Sequence, residues 1–259
     1  MDRDLERAAD LILAARHALA FTGAGISTPS GIPDYRSPGA GLWETMDAMK
    51  VATSASFRAD PAAFYRLLRP LAARLLLAEP NAAHRALADL EQWGLLACII
   101  TQNVDNLHQK AGSRCVWELH GHLRQATCLR CQRTFPAEGL LEDLLQGVDA
   151  PRCSCCGGAL KPNVVFFGEP LPRYAWMEAA GEAERCDLIL VVGSSLEVTP
   201  ASDLPFMALR HGAKIVVINN VPTPLDEEAA VVLCDDLAVV LPRLAEACRL
   251  RLGTERRTR

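Results

Sequence analysis

Four short apolar runs end in small or polar residues: ALAFTGAG (18–25), LLACIITQN (95–103), CDLILVVGSS (186–195) and AKIVVINN (213–220). Runs that are short and unbroken suit strands buried on both faces of a parallel sheet. Helical stretches separate them, as βαβ alternation requires. One lies at the start, where Leu5, Ala9, Ile12 and Arg16 stand at helical spacing and predict a helix over 2–17. The expected fold class is α/β, a Rossmann-like parallel sheet. Ligands of such sheets sit beyond the carboxyl ends of the strands, and here those ends carry TGAG, TQNVD, GSS and NN.

Two segments break the pattern. Residues 37–90 read as loops and helices (DPAAFYRLLRPLAARLLLA, then NAAHRALADLE), and residues 121–163 hold a cluster of cysteines. Both are expected to be insertions forming a smaller domain over the strand ends: a helical module (37–90) and a zinc-binding module (121–163). The Rossmann-like domain then takes 1–36, 91–120 and 164–259.

A net charge of −4 gives no general reason to bind nucleic acid or an anionic membrane, and permits a basic peptide. No apolar stretch reaches the roughly 18–20 residues of a membrane span, and the start, MDRDLERAAD, lacks the apolar core of a signal peptide. Ten cysteines without such a signal point to a reducing, cytoplasmic setting in which thiols bind metal or sit buried.

Cys128-x-x-Cys131 and Cys153-x-x-Cys156 are paired knuckles with 21 residues between them. Four thiolates close a zinc tetrahedron and leave no open position, so the metal is expected to be structural. Cys155 competes for the fourth place, but only one residue separates it from Cys153. Cys98, Cys186 and Cys234 lie in or beside apolar runs and read as core or pocket residues.

Gly23 and Gly25 let the backbone turn tightly near a pyrophosphate at a helix start. The third glycine of the dinucleotide fingerprint is missing, with Thr28 in its place. Glu44 has the distance of the usual ribose-binding acid but follows two prolines in a loop-like stretch, which disfavours hydride transfer. His120, in VWELHGH, and the Gln102, Asn103, Asp105 and His108 of TQNVDNLH lie at neighbouring strand ends. Alone, each reads equally well as a cap or a hydrogen-bonded structural group.

Taken in order, GAGISTPSGIPDYR, TQNVDNLHQKAGS, ELHG, the two Cys-x-x-Cys pairs, KPNVVFFGE and GSSLEVTP resemble the sirtuins, NAD-dependent protein lysine deacylases, from about residue 18 to 245. The resemblance is to the bacterial-type, acetyl-preferring branch. It implies that the loop holds NAD for cleavage of its glycosidic bond, with Gly23, Ala24, Gly25, Thr28, Asp34, Tyr35 and Arg36 at the NAD site. Tyr35 replaces the phenylalanine of most relatives. Gln102, Asn103 and Asp105 would form the ribose and nicotinamide pocket, and Ser194, Ser195, Asn219, Cys234 and Asp235 the adenosine half.

The same resemblance makes His120 the general base and Asn103 the residue that orients ribose and water. A histidine, with its ordinary pKa near 6.5, suits such a proton transfer at neutral pH. Val164, Val165, Phe166, Gly168, Glu169, Leu196 and Val198 would border an acyl-lysine peptide added as a strand between two segments of the protein. One zinc per chain would be held by Cys128, Cys131, Cys153 and Cys156. The implied products are nicotinamide, free lysine and O-acetyl-ADP-ribose.

ADP-ribosyl transfer to protein, a preference for longer apolar acyl chains, and a zinc-bearing NAD-sensing module without turnover are the rival readings. Family members that prefer succinyl or malonyl lysine carry a Tyr and an Arg three residues apart on the helix opened here by Asp60-Pro61, and those positions count to Leu68 and Leu71. Tyr65 and Arg69 lie nearby.

Overall fold

The computed structural model describes residues 2–34 and 48–255; Tyr35, Arg36 and Glu44 lie outside the described residues. Six strands form a parallel sheet: β1 (Ala18–Thr22), β2 (Cys98–Thr101), β3 (Val116–Glu118), β7 (Leu188–Val192), β8 (Lys214–Ile218) and β9 (Val231–Leu233). Their spatial order is β3-β2-β1-β7-β8-β9. This is the 3-2-1-4-5-6 order of doubly wound dinucleotide-binding sheets, whose direction of winding reverses between the first and fourth strands.

The unbroken apolar runs have a direct cause. Ala18, Ala20, Leu188, Leu190, Val216 and Ile218 pack into one core, while Leu19, Phe21, Ile189, Val191, Ile215 and Val217 pack into another on the opposite face. Both side-chain sets of each strand are therefore withdrawn from water, at about 25 cal/mol per Å² of apolar surface. The first helix, α1 (Asp2–Ala14), is shorter than its periodicity predicts. The N–H groups of Arg16 and His17 donate to the Asp187 carboxylate at 2.9 Å each, which pulls the chain out of the helix and onto β7.

A second, antiparallel sheet has the order β5-β4-β6, from β4 (Gly121–Cys128), β5 (Thr134–Pro136) and β6 (Leu160–Val164). It shares one core with α3 (Ser54–Ala59), α4 (Pro61–Leu77) and α7 (Ala137–Leu145): Phe57, Phe64, Tyr65 and Leu68 meet Ala126, Leu140, Leu144 and Leu160. Thr53 caps α3 through the Ser56 N–H, and Asp60 caps α4 through the Ala63 N–H, with Pro61 in the first turn where its missing donor costs nothing. The described helices of the 37–90 segment divide between two cores, however. Its last helix, α5 (Ala82–Gln92), places Ala83, Ala86, Leu87 and Leu90 in the core of the parallel sheet, beside Leu241, Leu244 and Cys248 of the C-terminal helix α10 (Leu237–Glu255). Asn81 caps α5, accepting the Ala83 N–H at 2.9 Å.

Candidate active site

The chain leaves β1 through Gly23 into a 3-10 helix, Ala24–Ser30. The glycines here serve backbone packing. Gly23 N–H donates to Val192 O at 3.0 Å and Gly25 N–H to Gly193 O at 2.9 Å, so the exits of β1 and β7 are zipped together at the point where the sheet reverses. A Cβ on Gly25 would meet the Cα and carbonyl oxygen of Gly193 at 2.9 Å, and one on Gly193, whose φ is +60°, would meet Ile26 N at 2.5 Å. Both N–H groups are thus committed within the protein. Gly25→Ala should lower stability by about 1–3 kcal/mol, read as a shifted denaturant midpoint, because backbone atoms cannot swing aside. An unchanged midpoint would show that the junction relaxes freely.

Around this junction the strand ends supply a connected set of polar groups. Gln102, beyond β2, donates from Nε2 to Ser194 Oγ at 2.9 Å, spanning the end of β1. Asn103 donates from Nδ2 to Gly23 O at 3.0 Å and to Ser27 Oγ at 3.1 Å. Two acceptors settle which end of the amide is nitrogen, and Oδ1 remains to accept from a hydroxyl or water. Ser27 in turn donates to Asp105 Oδ2 at 2.6 Å, and Asp105 Oδ1 accepts the Leu107 N–H at 2.9 Å. Burial raises the pKa of Asp105, and those two donors counter the shift. Ser27 has no assigned role in the sequence reading, yet it couples the amide of Asn103 to the carboxylate of Asp105.

His120 sits in the turn between β3 and β4. Its Nδ1 lies 3.0 Å from Gln102 O. A carbonyl only accepts, so Nδ1 carries the proton and Nε2 keeps its lone pair. Burial lowers the pKa of the imidazole, with the Gln102 carbonyl drawing it back part of the way. The turn itself demands glycine next: at Gly121, φ +74°, a Cβ would strike Asn163 O at 2.2 Å. His120 O accepts the Val165 N–H at 2.8 Å, which binds the base to the segment after β6. His108, by contrast, is a packing residue, buried against β1 with Nε2 2.9 Å from Thr22 Oγ1.

The remaining residues named from sequence divide into groups. Thr28 caps its own turn through Gly25 O at 3.0 Å, and Ala24 and half-buried Asp34 lie on the same loop. Ser195 follows Ser194 beyond β7. Asn219, beyond β8, donates to Val221 O at 2.8 Å. Ile218 pairs with Leu233, so exposed Cys234 and half-buried Asp235 follow alongside Asn219. Leu196 is buried at φ +58°, and Val198 is 38% exposed.

Two side chains named as substrate contacts are used elsewhere. The Phe166 ring is buried in the small core, 4.8 Å from Phe64 and 5.4 Å from Phe57 between centroids. Glu169 accepts from Phe166 N at 2.9 Å, Lys161 Nζ at 3.0 Å and the Ser54 hydroxyl. Burial works to raise its pKa, but those donors outweigh it and hold the carboxyl below its usual range. Both side chains are engaged within the protein.

Cys128, Cys131, Cys153 and Cys156 bring four Sγ atoms within 4.8 Å of one another. The 128–156 and 131–153 separations are 3.5 and 3.6 Å. A tetrahedron of sulfurs at about 2.3 Å from zinc has edges of about 3.8 Å, so the set fits one structural zinc. The N–H groups of Arg130 and Cys131 point at Cys128 Sγ from 3.4 and 3.5 Å, as suits a thiolate. Cys155 is not one of the four; its Sγ lies 2.9 Å from Arg133 Nη1.

The Sir2 family model matches residues 23–200. The NAD-dependent protein deacylase 2 of Archaeoglobus fulgidus is 43% identical over 257 residues, 99% of this chain and 100% of its own length. Among solved structures, a Sir2 with a deacetylated peptide and 3′-O-acetyl ADP ribose superposes with a TM-score of 0.89 at 40% identity, covering 93% of this chain and 97% of that one. Another, Sir2Af2 bound to a myristoylated histone peptide, superposes with a TM-score of 0.84 at 39% identity, covering 98% of this chain and 100% of its own.

Proposed function

The chain belongs to the Sir2 family, and we propose on that footing that it is an NAD-dependent protein lysine deacetylase. The carrying observation is a half-buried imidazole whose tautomer is fixed by Gln102 O, beside the linked Asn103–Ser27–Asp105 set at the point where the sheet reverses. Binding alone has no use for a base so prepared. The glycine-only junction and the polar strand ends fit a dinucleotide, which would supply a ribose carbon bearing nicotinamide, already a cationic leaving group.

Each residue then has a defined task. Asn103 Oδ1 holds the ribose or a water, and Asp105 accepts a carboxamide N–H. Gln102, Ser194, Ser195, Asn219, Cys234 and Asp235 line the rest of the nucleotide, with Ala24, Thr28 and Asp34 on the loop; Tyr35 and Arg36 would join them by family resemblance. His120 Nε2 takes the proton of a ribose hydroxyl. Holding the reacting oxygen and carbon in line is worth many orders of magnitude in effective concentration. The acyl-lysine peptide runs as a strand between Val164–Gly168 and Leu196–Val198, held by main-chain bonds. The sheet and its helices carry the nucleotide, while α3, α4 and the zinc module form the smaller part. No helix among the described residues is long and apolar enough to cross a membrane, and the ten cysteines fit a cytoplasmic setting.

Acyl preference follows from α4. Leu68 is buried in the aromatic core and Leu71 is half-buried one turn on. The nearby polar groups are committed: the Tyr65 hydroxyl donates to Leu160 O, and Arg69 donates to Val148 O and Asp149 Oδ1 at 3.0 Å each. An acyl carboxylate would lose water and find no free partner in Tyr65 or Arg69 of this helix. Mass spectrometry of acetyl- and succinyl-lysine peptides with NAD tests both the reaction and this preference. It should show O-acetyl-ADP-ribose, and a kcat/KM for acetyl at least about tenfold higher, equivalent to about 1.4 kcal/mol. Mass gained by the protein instead of lost from the peptide would favour ADP-ribosyl transfer.

A further inference from the structure

The segment proposed to receive the peptide has no regular secondary structure to hold its shape beyond β6, yet its course is closely determined. Lys161 Nζ donates to Val164 O at 2.8 Å and to Glu169 Oε2 at 3.0 Å, and lies 4.0 Å from the centroid of the Phe166 ring. The loop 164–169 therefore closes around one ammonium group, using donors and the π face together. Glu169 completes the closure from the other end, through Phe166 N, Lys161 and Ser54. Phe166 O also accepts the Glu169 N–H at 2.9 Å. From outside, Val165 N–H is tied to His120 O at 2.8 Å and Phe167 N–H to Ala52 O at 2.9 Å. Both ionic side chains are mostly shielded, at 16% and 23% exposure, so solvent screens the pair weakly.

We propose that Lys161 and Glu169 are positioning residues, an internal ionic clamp that shapes the Val164–Gly168 strand for the acyl-lysine peptide. The inference rests on the reading that the peptide lies along that strand. It assigns the two ends of KPNVVFFGE to one task. The clamp touches neither nucleotide nor reacting atoms, so its loss should raise the peptide KM and spare NAD binding. It also links peptide register to the base, because Val165 hangs from His120 O.

The test uses Lys161→Met, which keeps length and apolar packing, and Glu169→Gln, which keeps shape and acceptor oxygen. Amide hydrogen exchange at Val165–Gly168 reads the clamp without substrate, and steady-state kinetics read the peptide KM. NAD affinity is titrated separately. The expected result for Lys161→Met is faster exchange at those amides, a peptide KM raised about tenfold or more, and NAD affinity within about twofold. Glu169→Gln should fall between this variant and the parent, and it carries the test if Lys161→Met does not fold. Unchanged exchange overturns the clamp. Faster exchange with an unchanged peptide KM overturns its positioning role, and then the peptide lies elsewhere. A parent enzyme that releases no acyl group from any peptide would instead refute the deacylase reading, which the exchange data do not depend on.

Discussion

His120→Ala is expected to lose about 10²–10⁴-fold in kcat for deacylation, the usual cost of removing a general base, with zinc content and thermal midpoint close to the parent. The side chain lies in a turn, outside the three hydrophobic cores, and among the described residues it bonds Gln102 O. The pH profile carries a second signature. Burial depresses the pKa of this imidazole, and the neutral form is the active one. The acidic limb of kcat/KM should therefore fall through a pKa below the ordinary histidine value, with activity complete above it. A His120→Ala enzyme turning over at near-parental rate would falsify the assignment of the base.

Cys131→Ser should remove the metal and open the small module to protease. Metal analysis should give one zinc per parent chain and close to none in the variant. Ligand thiolates and local folding are coupled in such sites, by about 10–16 kcal/mol in isolated zinc modules at neutral pH. The effect should reach past the knuckles, since Cys128 and Cys153 share a core with Phe57, Leu68 and Leu140. Cys155→Ser should keep the metal, because that sulfur faces Arg133. Retention by the first variant with loss by the second would reassign the fourth ligand.

The parallel sheet was legible because both faces of its central strands β1, β2 and β7 are buried, leaving short unbroken apolar runs between helical stretches. Strand β9 was not: it is three residues at an edge, and Val232 is 37% exposed. The zinc set was legible because its ligands come in local pairs. Helix α5 was recognisable as a helix, but an amphipathic face does not declare which layer it meets, and it joined the large core instead of the small module. Phe166 and Glu169 show the same limit at finer scale. A motif places a residue beside a pocket, while the direction of its side chain depends on Phe57, Phe64 and Ser54, over a hundred positions earlier. Ser27 escaped for a related reason. Its meaning lies in Asn103 and Asp105, 76 and 78 residues away.

The small core is assembled from two stretches of chain that are far apart, as the bond from the Tyr65 hydroxyl to Leu160 O across 95 positions shows. During synthesis α3 and α4 emerge long before β6 and Phe166 exist to cover them. Contacts of such sequence separation form late and slowly, since loop closure precedes any reward. Phe57 and Phe64 are thus uncovered on the nascent chain, a state prone to association with other chains. A ribosome stalled just before residue 160 should carry a helical segment still open to protease, and one stalled well beyond Phe166, in the presence of zinc, a closed one.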